Sequence, residues 1–440
     1  MMQTRPTARR AALALGTLVA LAACAADPVT APPFDPPGAL LAAGRPPGGG
    51  STPTVKDTAA ALAAIDAILG PVPTTTTLAA HPLGPDYKAK FVQHEPTHRV
   101  KTCCRSGGSY DNYYDRVQAY YAWWAQERDS RKETASYPQY AHDVLVTYRD
   151  WIANRLRWEV EPHDAQLDGL ALHYLVTGDN ASKDAVARLA TRYSSSSHAY
   201  FGNLGKNDHD WMDNRIQGRV LLSLVLAHQI GAPDPSGATG GTYWSDKAKV
   251  ALNAILGTQT TAAGKFRGAY QFKSSCYANK PFMVGILNDA LTRYHDLSEN
   301  AASPLYGTLS LEDKARILKA VELSADYMWV NDWVASAGAF REHSENAGGC
   351  NSAPAPDLNL MVVSGYGWVG SELAAGATVT NHTAGESGAE TSTTYFQAGD
   401  GAFAGGVNKA CFSCSDKHFN QQYQSGYRYL AYPRPAAATN

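Results

Sequence analysis

The chain has 440 residues, with 38 Lys+Arg against 40 Asp+Glu and a formal net charge of −2. That near-balance, with no run of basic residues, leaves no electrostatic footprint for a nucleic-acid partner. After its first 23 residues the chain has no apolar stretch of the roughly 18 residues that a membrane span needs.

Residues 1–23 read as a leader that is removed. Arg5, Arg9 and Arg10 precede an apolar run from Ala11 to Ala23, a charged segment followed by a short hydrophobic one. The run closes on Leu21-Ala22-Ala23-Cys24, which resembles the lipobox of bacterial lipoproteins. That resemblance implies export and lipidation of Cys24, with Ala25 after it favouring an outer membrane or cell surface in a Gram-negative source. The only membrane contact expected is through this anchor. Without the leader, 35 basic residues face 40 acidic ones. Residues 24–54 are rich in Pro, Gly, Ala and Thr, a tether stiffened in places by polyproline II.

Residues 55–104 form an N-terminal extension with one short helix expected. It contains His94-Glu95-Pro96-Thr97-His98, the His-Glu-x-x-His spacing of a zinc protease. Pro96 falls inside the turn that would present both imidazoles, and it disfavours a helix there. The match is therefore expected to be accidental. Six cysteines follow Cys24: Cys103, Cys104, Cys276, Cys350, Cys411 and Cys414. An even count in an exported chain points to as many as three disulfides, whose connectivity spacing alone does not decide.

From residue 105 to 434 two kinds of helix alternate. Apolar segments are expected near 112–127, 164–177, 213–230, 281–296, 357–370 and 419–430, each buried on most sides. Amphipathic segments such as 182–190, 245–252 and 311–321 fall between them. Gly178 and Gly231 mark helix ends, and Asp164, Asp213 and Asp357 mark helix starts. Residues 374–410, rich in Gly, Thr, Ser and Ala, read as loop or short strands. The whole pattern is all-α and resembles the (α/α)6 toroid, or six-hairpin, architecture of polysaccharide lyases and glycoside hydrolases.

In toroids of this kind a cleft forms at one end of the inner barrel, so the starts of the apolar helices are where chemistry is sought. There the chain carries Asp208, His209, Asp210, Trp211, Asp213 and Arg215; then Tyr277 and Lys280; then Asp357, Asn359, Tyr366 and Trp368; then His418 and Tyr423. Flat aromatic faces beside directed donors and acceptors suit a sugar chain, although aromatics at helical spacing also build cores. The resemblance implies two chemistries. A lyase would draw base, acid and charge-neutralising groups from His209, Arg215, Tyr277, His418 and Tyr423, acting on a uronate-containing polysaccharide. A hydrolase would need two carboxylates, for which Asp164, Asp213 and Asp357 are available. The helix dipole at such a start lowers a carboxylate's pKa and disfavours an acid, which tips the expectation towards the lyase. A tethered glycan-binding or structural lipoprotein without turnover remains the other class. No cofactor is expected. Asp208, Asp210 and Asp213 have donors for a calcium ion, but the glycine and late glutamate of an EF-hand loop are absent.

Overall fold

The computed structural model of the protein describes residues 58–70, 72–99, 114–128, 136–195, 199–205, 212–260, 280–343, 352–378 and 391–435, with Val55 and Tyr270. The leader, Cys24 and the tether lie outside these residues. Among the described residues no helix is long and apolar enough to cross a membrane.

The region 55–104 supplies three helices rather than one: α1 (Thr58–Leu69), α2 (Thr75–Ala80) and α3 (Gly84–Arg99). From there the expected alternation follows. Buried helices α4 (Arg116–Gln126), α6 (Leu167–Thr177), α8 (Asn214–Gln229), α10 (Pro281–Glu299) and α12 (Asn359–Ala374) alternate with α5 (Tyr137–Asn154), α7 (Asn180–Ser194), α9 (Tyr243–Leu256), α11 (Leu311–Asn331) and α13 (Ser392–Lys409). The last buried position is shared by α14 (Asp416–Gln424) and α15 (Gly426–Ala431). Every residue of α4 is buried, whereas α5 buries only a stripe of Pro138, Ala141, Val144, Leu145, Tyr148 and Ile152. That contrast separates an inner from an outer helix.

The inner helices close a ring. α4 touches α6, α6 touches α8, and α8 touches α10; α10 touches α12, α12 touches α14 and α15, and α14 returns to α4. Outer helices α5, α7 and α11 pack on both inner helices that flank them in sequence, α9 packs on α8 and α13 on α12, and α3 completes the outer layer against α14. This is an (α/α)6 toroid. Because each outer helix returns the chain, all inner helices start at the same end of the ring. α1 touches α4, α6 and α10, helices that do not all adjoin, so it lies across the ring. Its Asp66 pairs with Arg128, just beyond the end of α4, which puts α1 towards the inner C-termini.

Close helix contacts in the ring depend on missing side chains. A Cβ on Gly218 would lie 2.9 Å from Leu287 Cα, and one on Gly285 would lie 2.3 Å from Met361 O. We expect Gly285→Ala to cost about 1–3 kcal/mol by forcing α10 away from α12. A urea midpoint unchanged from wild type would refute that.

Two local expectations fail. α3 runs through Pro96, close to its C-terminal end, where the lost backbone bond is one of the last in the helix. Residues 392–409 are helical, not loop or strand. Thr391 and Thr394 form a capping box, and the glycines let neighbours approach: a Cβ on Gly399 would meet the Tyr429 ring at 2.4 Å, and one on Gly405 would meet Gly338 O. Low propensity is overridden by packing. A two-stranded hairpin, β1 (Trp333–Val334) and β2 (Ala339–Phe340), follows α11.

Candidate functional site at the inner-helix starts

Four of the polar groups at this end of the ring gather where α6 and α8 begin. A 3-10 turn, Pro162–Asp164, leads into α6 and packs against α8. The Tyr148 hydroxyl donates to Asp164 O at 3.0 Å and accepts from Gln166 N at 3.1 Å, which fixes the turn. Asp213 caps α8 by accepting from Ile216 N at 2.9 Å, and its other oxygen pairs with Arg215 at 2.8 Å. His163 Nε2 stands 3.5 Å from Asp164 Oδ2.

The two carboxyl groups have different surroundings. Asp164 is 9% exposed, and its Oδ1 is buried with no hydrogen-bond partner among the described residues. Burial pushes its pKa up to about 7; Arg215 opposes the rise and Glu161 adds to it. Asp164 stands in the turn ahead of α6 and outside its first turn, so desolvation and not the helix dipole decides its charge. Burial, reinforced by Arg215, lowers His163 to about 3, so its imidazole is neutral. Asp213, by contrast, is held by a guanidinium and a backbone N–H. A carboxyl that keeps its proton up to about pH 7 thus stands at the same ring end as an ion-paired carboxylate.

Other candidates have structural employment. Asp357 Oδ1 accepts from Cys411 N at 2.5 Å, and its carbonyl accepts from Gln422 Nε2 at 2.9 Å and from Gln421. Asn359 is fully buried: it donates to Gly338 O and Ala402 O, each at 2.9 Å, and accepts from Phe340 N at 3.1 Å. His418 Nδ1 lies 2.7 Å from Ser415 Oγ, and burial lowers its pKa. Lys280 precedes α10 and is half-buried.

Three aromatic candidates lie in the core. Tyr423 is fully buried among Tyr87, Phe91 and Phe419. The Tyr366 hydroxyl donates to Ala325 O at 2.7 Å from a buried ring. Trp368 stands nine residues into α12, about 14 Å from the helix start at 1.5 Å per residue, against His295. Asp208, His209, Asp210, Trp211 and Tyr277 lie outside the described residues, and with them the calcium arrangement and two of the five residues of the lyase set, His209 and Tyr277. Cys411 and Cys414 form a disulfide; Cys103, Cys104, Cys276 and Cys350 lie outside the described residues.

The His-Glu-x-x-His match is helical after all, but its Glu95 and His98 face inward while His94 is only half-buried. Glu95 accepts from the Tyr120 hydroxyl at 3.1 Å and pairs with Arg99, while His98 is buried and stacks on Phe419 at 4.5 Å. Among the described residues His94, Glu95 and His98 do not group as metal ligands.

Sequence patterning did not disclose the buried charges inside the ring. Asp168 pairs with Arg293 at 2.5 Å and with Arg219 at 3.8 Å; Arg293 also reaches Asp289, which pairs with Arg428. Asp115 caps α4 through Gln118 N and accepts from Gly169 N at 2.7 Å, fastening α4 to α6. Burial and the charge of Asp168 push Asp115 up to about 7.

No family model matches the sequence, and no curated protein matches it. Two solved structures are similar in shape. One is an unsaturated glucuronyl hydrolase responsible for the degradation of glycosaminoglycan, from Bacillus sp. GL1, at 11% identity and TM-score 0.44. The other is a UGL variant with dGlcA-Glc-Rha-Glc, at 10% identity and TM-score 0.44. Each match covers 73% of this chain and 85% of the other. At that score neither carries weight, and the toroid rests on this chain's own helix contacts.

Proposed function

We propose that the protein is an exported, lipid-anchored enzyme that hydrolyses a uronate-containing polysaccharide at the inner-helix starts. One observation carries this reading: Asp164 is a buried carboxyl with an unpartnered oxygen, held protonated near neutrality, beside the Asp213–Arg215 ion pair. Glycoside hydrolysis needs a protonated acid and a second, ionised carboxylate. Asp164 gives its proton to the glycosidic oxygen as the bond to the anomeric carbon breaks. Water adds to that carbon and passes a proton to Asp213, leaving a hemiacetal and a free hydroxyl. Arg215 and Lys280 supply positive charge for a uronate carboxylate. An acid at a position where the sequence reading disfavoured one is what moves the proposal from elimination to hydrolysis. Export and anchoring rest on the leader and on Cys24 in Leu21-Ala22-Ala23-Cys24.

The test is to incubate membrane and soluble fractions of producing cells with acidic and neutral polysaccharides, following new reducing ends and unsaturated-uronide absorbance. Reducing ends without absorbance, from the membrane fraction and shifted to the soluble one by Cys24→Ser, are expected. Absorbance would restore the lyase, and retention on a glycan without cleavage would make this a binding protein. Activity that stays in the membrane fraction with Cys24→Ser would refute the anchor.

A further inference from the structure

Three ligand-type side chains that the proposed cleft does not use meet far from it. His295 and Asp296 stand on α10 near its C-terminal end, and Glu372 stands in the last turn of α12. Each offers one donor atom, and the three atoms lie within 4.8 Å of one another. His295 is buried, while Asp296 and Glu372 are half-buried. Asp296 Oδ1 lies 3.1 Å from His295 Nδ1 and accepts from Trp368 Nε1 at 2.9 Å.

The local charge balance is negative. Among the described residues no Lys or Arg pairs with Asp296 or Glu372, and the nearby Glu299 already has Lys314 at 2.9 Å. α10 and α12 both end here, so their carbonyl ends add negative potential. Two half-buried carboxylates, an imidazole and two helix C-termini, with no basic partner, form a site that a cation would satisfy.

We propose that His295, Asp296 and Glu372 bind one divalent transition-metal ion, best suited to zinc, which clips α10 to α12 at the end of the ring opposite the cleft. Imidazole with two carboxylates is a zinc-type donor set, and three protein ligands leave the fourth tetrahedral position to water. Calcium would need six or more oxygens, and this cluster offers too few. Asp296 and Glu372 are exposed enough to close on an ion. The Trp368 indole then orients a ligand carboxylate from outside the coordination sphere, the usual task of such a donor. This inference does not depend on the proposed catalysis.

The experiment uses the full chain, treated with chelator, its free thiols alkylated, and titrated with Co2+ and Zn2+. Expected are one equivalent bound, visible Co2+ bands of tetrahedral intensity and a melting temperature that rises with Zn2+. Glu372→Gln, which keeps the shape of the side chain, should abolish the bands. Trp368→Phe should weaken binding by about tenfold or more without changing stoichiometry. No binding at millimolar Co2+ or Zn2+ would overturn the proposal and leave a plain histidine–carboxylate cluster. Undiminished binding by both Glu372→Gln and His295→Ala would overturn it too, because the metal would then sit elsewhere.

Discussion

Asp164→Asn is expected to lower kcat by about 10²–10⁴-fold, the range for losing a positioned general acid. The fold should survive it. Asn fills the same volume and keeps the carbonyl that Tyr148 fixes. The stability sign follows from the raised pKa. Asp164 titrates near 7 in the folded protein, against an ordinary 3.8. Below about pH 4 both states are protonated and the group contributes nothing. As pH rises through 4 to 7 the folded state must either hold a proton or ionise a buried group, and stability falls. Asn escapes that loss. The variant should therefore match wild type at pH 4 and exceed it at pH 8, while remaining inactive. The wild-type rate should also fall above about pH 7, as the acid ionises. Chemical denaturation at both pH values, beside a pH–rate profile, checks the set. More than a tenth of wild-type activity in the variant would remove Asp164 from the mechanism.

Asp115 separates a high pKa from a catalytic role. It too is pushed up to about 7, yet both its oxygens accept backbone N–H bonds, from Gln118 and Gly169. Those bonds employ it as a cap and a fastener between two inner helices. Asp164 Oδ1 has no such partner. Free acceptor capacity is what distinguishes the two.

The ring was legible in sequence because most of its fully buried helices carry long apolar runs with no polar face. The six apolar segments fall on the six inner positions, and Gly178 ends α6 at φ 76°, as a left-handed cap requires. α13 was hidden because its glycines lower helix propensity, and their use in close approach to Tyr429 and Gly338 appears only in three dimensions. Asp164 and Asp213 were legible as helix starts. Their opposite environments were not, since burial is a property of the neighbours. Tyr366, Trp368 and Tyr423 show the converse: aromatics at helical spacing look alike whether they face a sugar or the core.

Asp168→Asn is expected to have the largest effect on stability, about 3–5 kcal/mol, because it leaves a buried arginine without its counter-charge. Asp168 is fully buried, and its partners come from two other inner helices, Arg293 of α10 and Arg219 of α8. Arg293 also donates to Ile68 O at 2.8 Å, so the same guanidinium ties the crossing helix α1 to the ring. Burial alone would raise the pKa of Asp168, but Arg293, Arg219 and Arg428 more than reverse this and hold it low. Its stabilisation is therefore complete above the ordinary carboxylate pKa and is lost as pH falls through the depressed one. That is opposite in sign to Asp164 and Asp115, so stability should peak on the acid side of neutrality. Partners 125 residues apart in sequence make the pair a long-range fastener. Removing both charges tests whether charge or shape is at stake. Asp168→Asn with Arg293→Met should recover part of the loss, because the guanidinium nearest the lost charge goes with it, leaving only the more distant Arg219 without its partner. Urea midpoints at constant slope measure each term. A single-variant cost below about 1 kcal/mol, the scale of an exposed ion pair, would show that the network does not hold the ring.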